Sequence, residues 1–208
     1  MLNENLNIKI FDNWAIQNKD AGMEKEHAYS VSKMINVIKR TTNIFNSKFD
    51  FLDLGCGNGW VVRNISKHKY SNICVGVDAS YNMIKKAKKH NSEVKFYQSK
   101  IKNFSLNHQF DIIFSMETFY YLKNIESILN KLYTQFLSNN GLIIIGIDHY
   151  TENKPSLSWE KEIGIRTQTL TISEWINKFE QAGFKNINYK QVGMKNDWAG
   201  TLIIYANK

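Results

Sequence analysis

The chain is 208 residues long, 43% apolar and 13% aromatic, which suits one globular domain with a full core and excludes a disordered segment. Its formal charge of +8 invites a nucleic-acid partner, but the surplus Lys is spread over many segments, so the charge alone names none. Residues 1–16 lack a continuous apolar signal-peptide core, and the longest apolar run, Gly141 to Ile147, is far too short to span a bilayer, so a soluble, intracellular, cytoplasmic protein is expected.

Residues 1–22 read as polar, with Phe11, Trp14 and Ile16 as scattered anchors. From Glu24 to Phe45 apolar residues recur at helical spacing (Val31, Met34, Ile35, Ile38), predicting a helix before the first strand. The stretch Phe49-Asp50-Phe51-Leu52-Asp53-Leu54 reads as a short buried strand. It runs into Gly55-Cys56-Gly57-Asn58-Gly59, where alternate glycines permit a sharp turn and close backbone approach to a ligand. A helix follows from Trp60 to Lys67, so strand, loop and helix N-terminus point backbone N–H groups at whatever sits above.

A second buried strand, Asn72 to Asp78, ends in an acid, and Ser80 is placed to cap a helix through Met83, Ile84 and Ala87. The run Lys85-Lys86-Ala87-Lys88-Lys89-His90 fits the solvated face of that helix, the alternative being a phosphate-binding patch. Strands are predicted at Val94–Gln98, Phe110–Ser115 and Gly141–Ile147, with a helix over Asn124–Leu137 between the last two. Residues 148–170 form a long connection holding Pro155 and Trp159, and connections of that length are usually functional. Thr171-Ile172-Ser173-Glu174 has the pattern of a capping box opening a helix to Ala182. Gly183 stops it, and strands at Phe184–Val192 and Gly200–Ala206 close the chain. Cys56 and Cys74 lack metal-site spacing and read as free thiols in a reducing compartment.

Strands alternating with helices predict an α/β fold: a three-layer sandwich around a mostly parallel seven-stranded sheet whose last strand is antiparallel, with helices on both faces. The expected organisation is one domain over 1–208, with an N-terminal helical lid in 1–47 and the core in 48–208. Ligands of such sheets bind beyond the carboxyl ends of the strands.

A dinucleotide fingerprint needs a glycine where this chain has Trp60. The register D-x-G-x-G-x-G from Asp53 instead resembles the first motif of the Rossmann-like S-adenosylmethionine-dependent methyltransferases. Asp78, nineteen residues beyond Gly59 in the sequence, matches the acid with which that family holds the ribose hydroxyls. Phe110 to Glu117 and Gly141 to Ile147 resemble its fourth and fifth strands. The resemblance implies S-adenosylmethionine as cofactor, S-adenosylhomocysteine as product and no metal. Asp53 and Gly55 would then lie near the methionine amino group, with Cys56, Gly57 and Gly59 under the cofactor. Ala79 or Met83 would line the adenine, and Ser115 and Met116 would end the fourth strand beside it. One position departs from the family pattern, because Lys100 stands where many members have an acid facing the adenine amine. Lys only donates, so Ser99 or the backbone around Ile101 is left to take that contact. Asp53 and Asp78 also have plainer readings, as a turn-stabilising acid and a helix N-terminal acid.

For the chemistry, His149 is the candidate general base, with Tyr120 and Glu117 beside it to orient the acceptor or, for Glu117, the methionine amine. Trp14, His27, Tyr150 and Trp159 are candidate substrate-binding residues, Trp14, His27 and Trp159 on segments expected to close over the site. Each also reads as an ordinary packing or surface residue. The stretch Ser115-Met116-Glu117-Thr118 lacks the proline-containing motif of base-modifying enzymes, and neither cysteine follows a late strand as in carbon-methylating RNA enzymes. The expected activity is methyl transfer to a small-molecule acceptor, on oxygen or nitrogen. A nucleic-acid methyltransferase and a non-catalytic cofactor-binding module are the alternatives. Nothing in the sequence sets the oligomeric state.

Overall fold

The computed structural model describes residues 4–89 and 94–208; His90, the last residue of the lysine cluster, lies outside them. Two helices, α1 (Glu4–Ile16) and α2 (Asp20–Thr41), precede the first strand. The core then alternates β1 (Phe49–Leu54), α3 (Trp60–Ser66), β2 (Ser71–Asp78), α4 (Tyr81–Lys89), β3 (Lys95–Gln98), β4 (Phe110–Met116), α5 (Ile125–Lys131) and β5 (Leu137–Ile147). It ends with α6 (Trp159–Ile163), α7 (Ile172–Gln181), β6 (Lys185–Val192) and β7 (Thr201–Asn207).

The seven strands form one sheet in the order β3-β2-β1-β4-β5-β7-β6. Six run the same way and β7 runs against both neighbours. Period-two alternation sends successive side chains to opposite faces. On one face Leu52, Leu54, Val77, Ile113 and Ile143 pack with Ile128 and Leu129 of α5 and Trp175 and Phe179 of α7. On the other, Phe51, Ile112, Phe114 and Ile144 pack with Met34 and Ile38 of α2, Val62 of α3 and Ile84 of α4. The three expected layers are present.

The start and stop signals are visible at atomic level. Ser80 Oγ accepts from Met83 N at 3.1 Å, capping α4. Thr171 and Glu174 form the reciprocal capping box of α7, and Gly183 leaves the helix at φ +93°. Three expectations are corrected. Within the expected helical segment residues 4–16 form a helix of their own, and Ile16 is 62% exposed, so it anchors nothing. The helix over 124–137 stays α-helical only to Lys131, and Leu132–Phe136 continue it with wider π-type turns. The connection 148–170 holds a 3-10 turn at Lys154–Ser158 and α6. Among the described residues no helix is long and apolar enough to cross a membrane.

From β1 the chain builds outward through β2 to β3, and from β4 it builds the opposite way to β5. The carboxyl ends of β1, β2 and β4 therefore diverge around one point, where a crevice opens.

Candidate active site

The glycine loop after β1 lines that crevice. Gly55 N and Cys56 N donate to Val77 O at 2.8 and 3.1 Å, fastening the turn to β2. Gly55, Gly57 and Gly59 all have positive φ (77°, 53° and 81°), but their surroundings differ. A Cβ on Gly55 would lie 1.9 Å from Thr118 Oγ1, and one on Gly59 would lie 2.5 Å from the Phe96 ring. A Cβ on Gly57 would meet nothing within 4 Å. Gly57 thus faces the open cleft, whereas Gly59 lets α3 pack and does not line the cleft, correcting its expected place under a cofactor.

Asp78 Oδ2 accepts from Gly57 N at 2.9 Å and Oδ1 from Ser80 N at 2.8 Å, so the acid of β2 also shapes the loop. Asp53 is 2% exposed at the cleft wall. Burial, reinforced by the charge of Asp78, pushes its carboxyl well above the usual range. Burial likewise raises Asp78, against hydrogen bonds from Ser80, Gly57 and Ala79 that favour its ionised form. Among the described ion pairs neither acid has a cationic partner.

The cleft offers about 1220 Å³ of empty space, its open mouth included. Cys56, Ala79, Met83, Ser99, Lys100, Ile101 and Met116 line it as well. Ser115 does not. Its hydroxyl donates to Leu54 O at 2.7 Å inside the sheet, a bond between β4 and β1. The Lys100 ammonium turns away to Asn5 Oδ1 at 2.5 Å, and Ser99 Oγ donates to the Lys100 carbonyl at 3.0 Å.

Helix α1 covers the cleft with Glu4, Asn7, Ile8 and Phe11. Polar bonds hold it there. Asn7 exchanges two bonds with the Arg166 backbone at 2.6 and 2.7 Å, and Asp12 accepts from Ser80 Oγ, Asn82 N and Asn82 Nδ2 at 2.6–2.8 Å. At the start of α2, Asp20 joins Lys86 Nζ (2.5 Å) to Asn58 of the glycine loop (3.1 Å).

Phe11, Met23, His27, Glu117 and Tyr121 also belong to a second chamber, which Trp14, Tyr120, Asp148, Trp159 and Trp198 help to enclose. Glu117 sits at φ +54°, unusual for a residue with a side chain. In that conformation Oε2 accepts from Tyr120 Oη and Oε1 from Asp148 N, each at 2.5 Å. Burial and the nearby Asp148 push the Glu117 carboxyl well up. Burial raises Asp148 too, while Thr201 and His27 oppose the shift. His27 is held below its usual value by burial, against the pull of Asp148 and Glu26.

Two of the expected catalytic and substrate-binding residues also fall outside both cavities. His149 is 1% exposed, with Nδ1 3.0 Å from Ser156 O and Nε2 2.8 Å from Thr169 Oγ1. Both ring nitrogens are engaged within the protein, and burial lowers its pKa, so it is a structural histidine and not an accessible base. Tyr150 is fully buried, donating to Gly200 O and accepting from Gln191 Nε2, both at 2.9 Å. It ties the end of β5 to the start of β7 and lines no cavity. Tyr121, Asp148 and Trp198 were not singled out in the sequence. Tyr121 and Asp148 stand beside residues that were, but Trp198 lies in an irregular turn with no periodic signal.

The cleft fits S-adenosylmethionine on its own evidence. A glycine with open space above it lets backbone and ligand meet, and two acids without cationic partners, Asp53 buried and Asp78 part-buried, suit a ligand bearing sulfonium and ammonium charges. Fold and cleft together define the Rossmann-like S-adenosylmethionine-dependent methyltransferase class. A family model described as "Methyltransferase domain" matches residues 45–194, and the chain belongs to that family. A malonyl-[acyl-carrier protein] O-methyltransferase of Priestia megaterium is 31% identical over 69% of this chain and 52% of its own length. A ubiquinone biosynthesis O-methyltransferase of Rickettsia canadensis is 26% identical over 66% of this chain and 58% of its own. The chain thus spans between half and three-fifths of these two relatives. A solved chain from the complex of the Haloferax volcanii Trm112 methyltransferase activator with a methyltransferase superposes with TM-score 0.81 at 21% identity, covering 95% of this chain and 96% of that one. The N-methyltransferase NodS of Bradyrhizobium japonicum, with S-adenosyl-L-homocysteine, gives 0.65 at 15% identity, covering 85% and 84%.

Proposed function

We propose that this chain transfers a methyl group from S-adenosylmethionine to a small-molecule acceptor, on oxygen or nitrogen. The observation that carries the reading is the shared wall: His27, Glu117 and Tyr121 face both the cleft and the second chamber. A cofactor in the first and an acceptor in the second would meet there. When bound, S-adenosylmethionine supplies an activated methyl group. Asp78 takes the ribose hydroxyls, Asp53 faces the methionine amino group, and Ala79, Met83 and the Ser99–Ile101 turn line the adenine. Helix α1 keeps water out. Glu117 and Tyr120, locked to each other, give the acceptor a fixed polar wall, and much of the acceleration comes from alignment and dryness.

No Lys or Arg is among the described residues lining the second chamber, so the positive charge of the chain is not gathered at the acceptor site. Cys56 and Cys74 are both free, which suits a reducing, cytoplasmic setting. Incubating the protein and methyl-labelled S-adenosylmethionine with separated metabolite, RNA and protein fractions tests the reading. Label in the metabolite fraction is the expected result. Label confined to RNA or protein, or cofactor binding without transfer to any fraction, contradicts it.

A further inference from the structure

We propose that the acceptor entering the second chamber is an amine on an apolar or aromatic body, bound as its ammonium. The inference rests on the methyltransferase reading and names the acceptor class of that same site.

The chamber is walled by aromatic rings in continuous contact. Trp14 meets Phe11 at 5.3 Å between ring centroids, Phe11 meets Tyr121 at 5.1 Å, and Tyr121 meets Tyr120 at 4.3 Å. Tyr120 meets Trp159 at 6.4 Å and Trp159 meets Trp198 at 6.1 Å. Ring faces carry negative potential, so such a wall holds an apolar body and attracts a cation over it.

The charged groups point the same way. Three carboxylates, Glu26, Glu117 and Asp148, line the chamber, against His27 alone as a basic group. The chain has 27 Lys and Arg, yet none is among these residues. Asp148 is the decisive one. It is 9% exposed, and its Oδ1 is buried without a hydrogen-bond partner. Asp148 thus offers the chamber wall a carboxylate with acceptor capacity unspent, which an ammonium N–H can use. The carboxylate can take the proton an ammonium must lose before its nitrogen offers a lone pair. A carboxylate or phosphate acceptor would face Glu26, Glu117 and Asp148 with His27 as its one basic neighbour among the lining residues, and would be poorly compensated for its desolvation. A neutral alcohol finds a partner in Asp148 but gains nothing from the ring faces as a cation does.

The test uses the full chain saturated with S-adenosylhomocysteine, so that binding is read without turnover. 2-Phenylethylamine, 2-phenylethanol and 3-phenylpropanoate are titrated by calorimetry and by tryptophan fluorescence, three Trp being in the chamber wall. The amine is expected to bind at least about tenfold tighter than the alcohol, with the carboxylate weaker still. Asp148→Asn is expected to erase that preference while leaving the melting temperature and S-adenosylhomocysteine affinity intact. Asparagine keeps the shape of the side chain and an oxygen to accept from Thr201, so the amide should fold. Equal or tighter binding of the alcohol or carboxylate, no binding of the amine, or an unchanged preference in Asp148→Asn overturns the proposal. If S-adenosylhomocysteine itself fails to bind, the underlying methyltransferase reading falls, and this inference with it. If it binds and the amine is not preferred, only this inference falls.

Discussion

Gly55 and Gly57 stand two residues apart, both in the left-handed region, yet a methyl group would meet very different surroundings at each. At Gly55 it would collide with Thr118, and at Gly57 it would enter open cleft. Gly55→Ala is therefore expected to destabilise the fold by about 3 kcal/mol or more, combining left-handed strain with a clash. Gly57→Ala should cost only the strain, roughly 1–2 kcal/mol, but obstruct the cofactor. Chemical denaturation and cofactor titration of the two variants separate the cases. Equal stability loss in both would contradict the assignment of Gly57 to the cleft. His149 gives a second contrast. His149→Ala is expected to cost about 1–3 kcal/mol, by orphaning the carbonyl of the buried Ser156, while the pH profile of kcat keeps its shape. A lost acidic limb in that profile would restore His149 as the base. Its chemistry and its place at the end of β5 made it a good candidate from sequence. Which way the ring turns depends on Ser156 and Thr169, seven and twenty residues away, and no local pattern records that.

At the scale of elements, the strands, α2, and the caps of α4 and α7 were legible because each rests on a local signal: an apolar run, a helical stripe, or a capping side chain three residues from its partner. Helix α1 was not. Its buried residues are Asn7 and Ala15, its apolar Ile8 and Phe11 face the cleft, and it is fastened by polar side chains to partners more than sixty residues away. An apolar stripe serving a binding site does not announce itself as a core-facing stripe. Asp12 is the strongest of these tethers. Asp12→Ala removes three hydrogen bonds to an acid and is expected to weaken docking of α1 by about 2–3 kcal/mol. Proteolysis near Gln17–Lys19 should then accelerate, and cofactor affinity should fall at least about tenfold with the core melting temperature nearly unchanged. Unchanged affinity would mean that α1 is not a lid.

Over the whole molecule, the free protein gathers four buried or part-buried acids at one sheet edge, Asp53, Asp78, Glu117 and Asp148, all shifted upward chiefly by desolvation. Each holds its proton in the folded state above the ordinary carboxylate value of about 4. The unfolded chain ionises first as pH rises, so stability declines until the pH passes the folded-state values. These acids are expected to lower the melting temperature of the free protein as pH rises from about 4 through their folded-state values. The depressed pKa values of His27 and His149 work the other way below about 6.5, because the unfolded imidazoles charge first. Replacing the acids by their amides, Asp53→Asn and Glu117→Gln, should therefore flatten the fall on the alkaline side, and an unchanged pH profile of the melting temperature contradicts this picture. The same uncompensated acids are what suit the cleft to a cationic cofactor, and that is the central claim. Calorimetric titration of S-adenosylmethionine into the wild type and Asp78→Ala tests it most directly. The account predicts saturable one-to-one binding by the wild type, weakened by roughly tenfold or more in the variant, as expected for lost hydrogen bonds to a carboxylate. No binding by the folded wild type, or equal affinity in the two proteins, would contradict it.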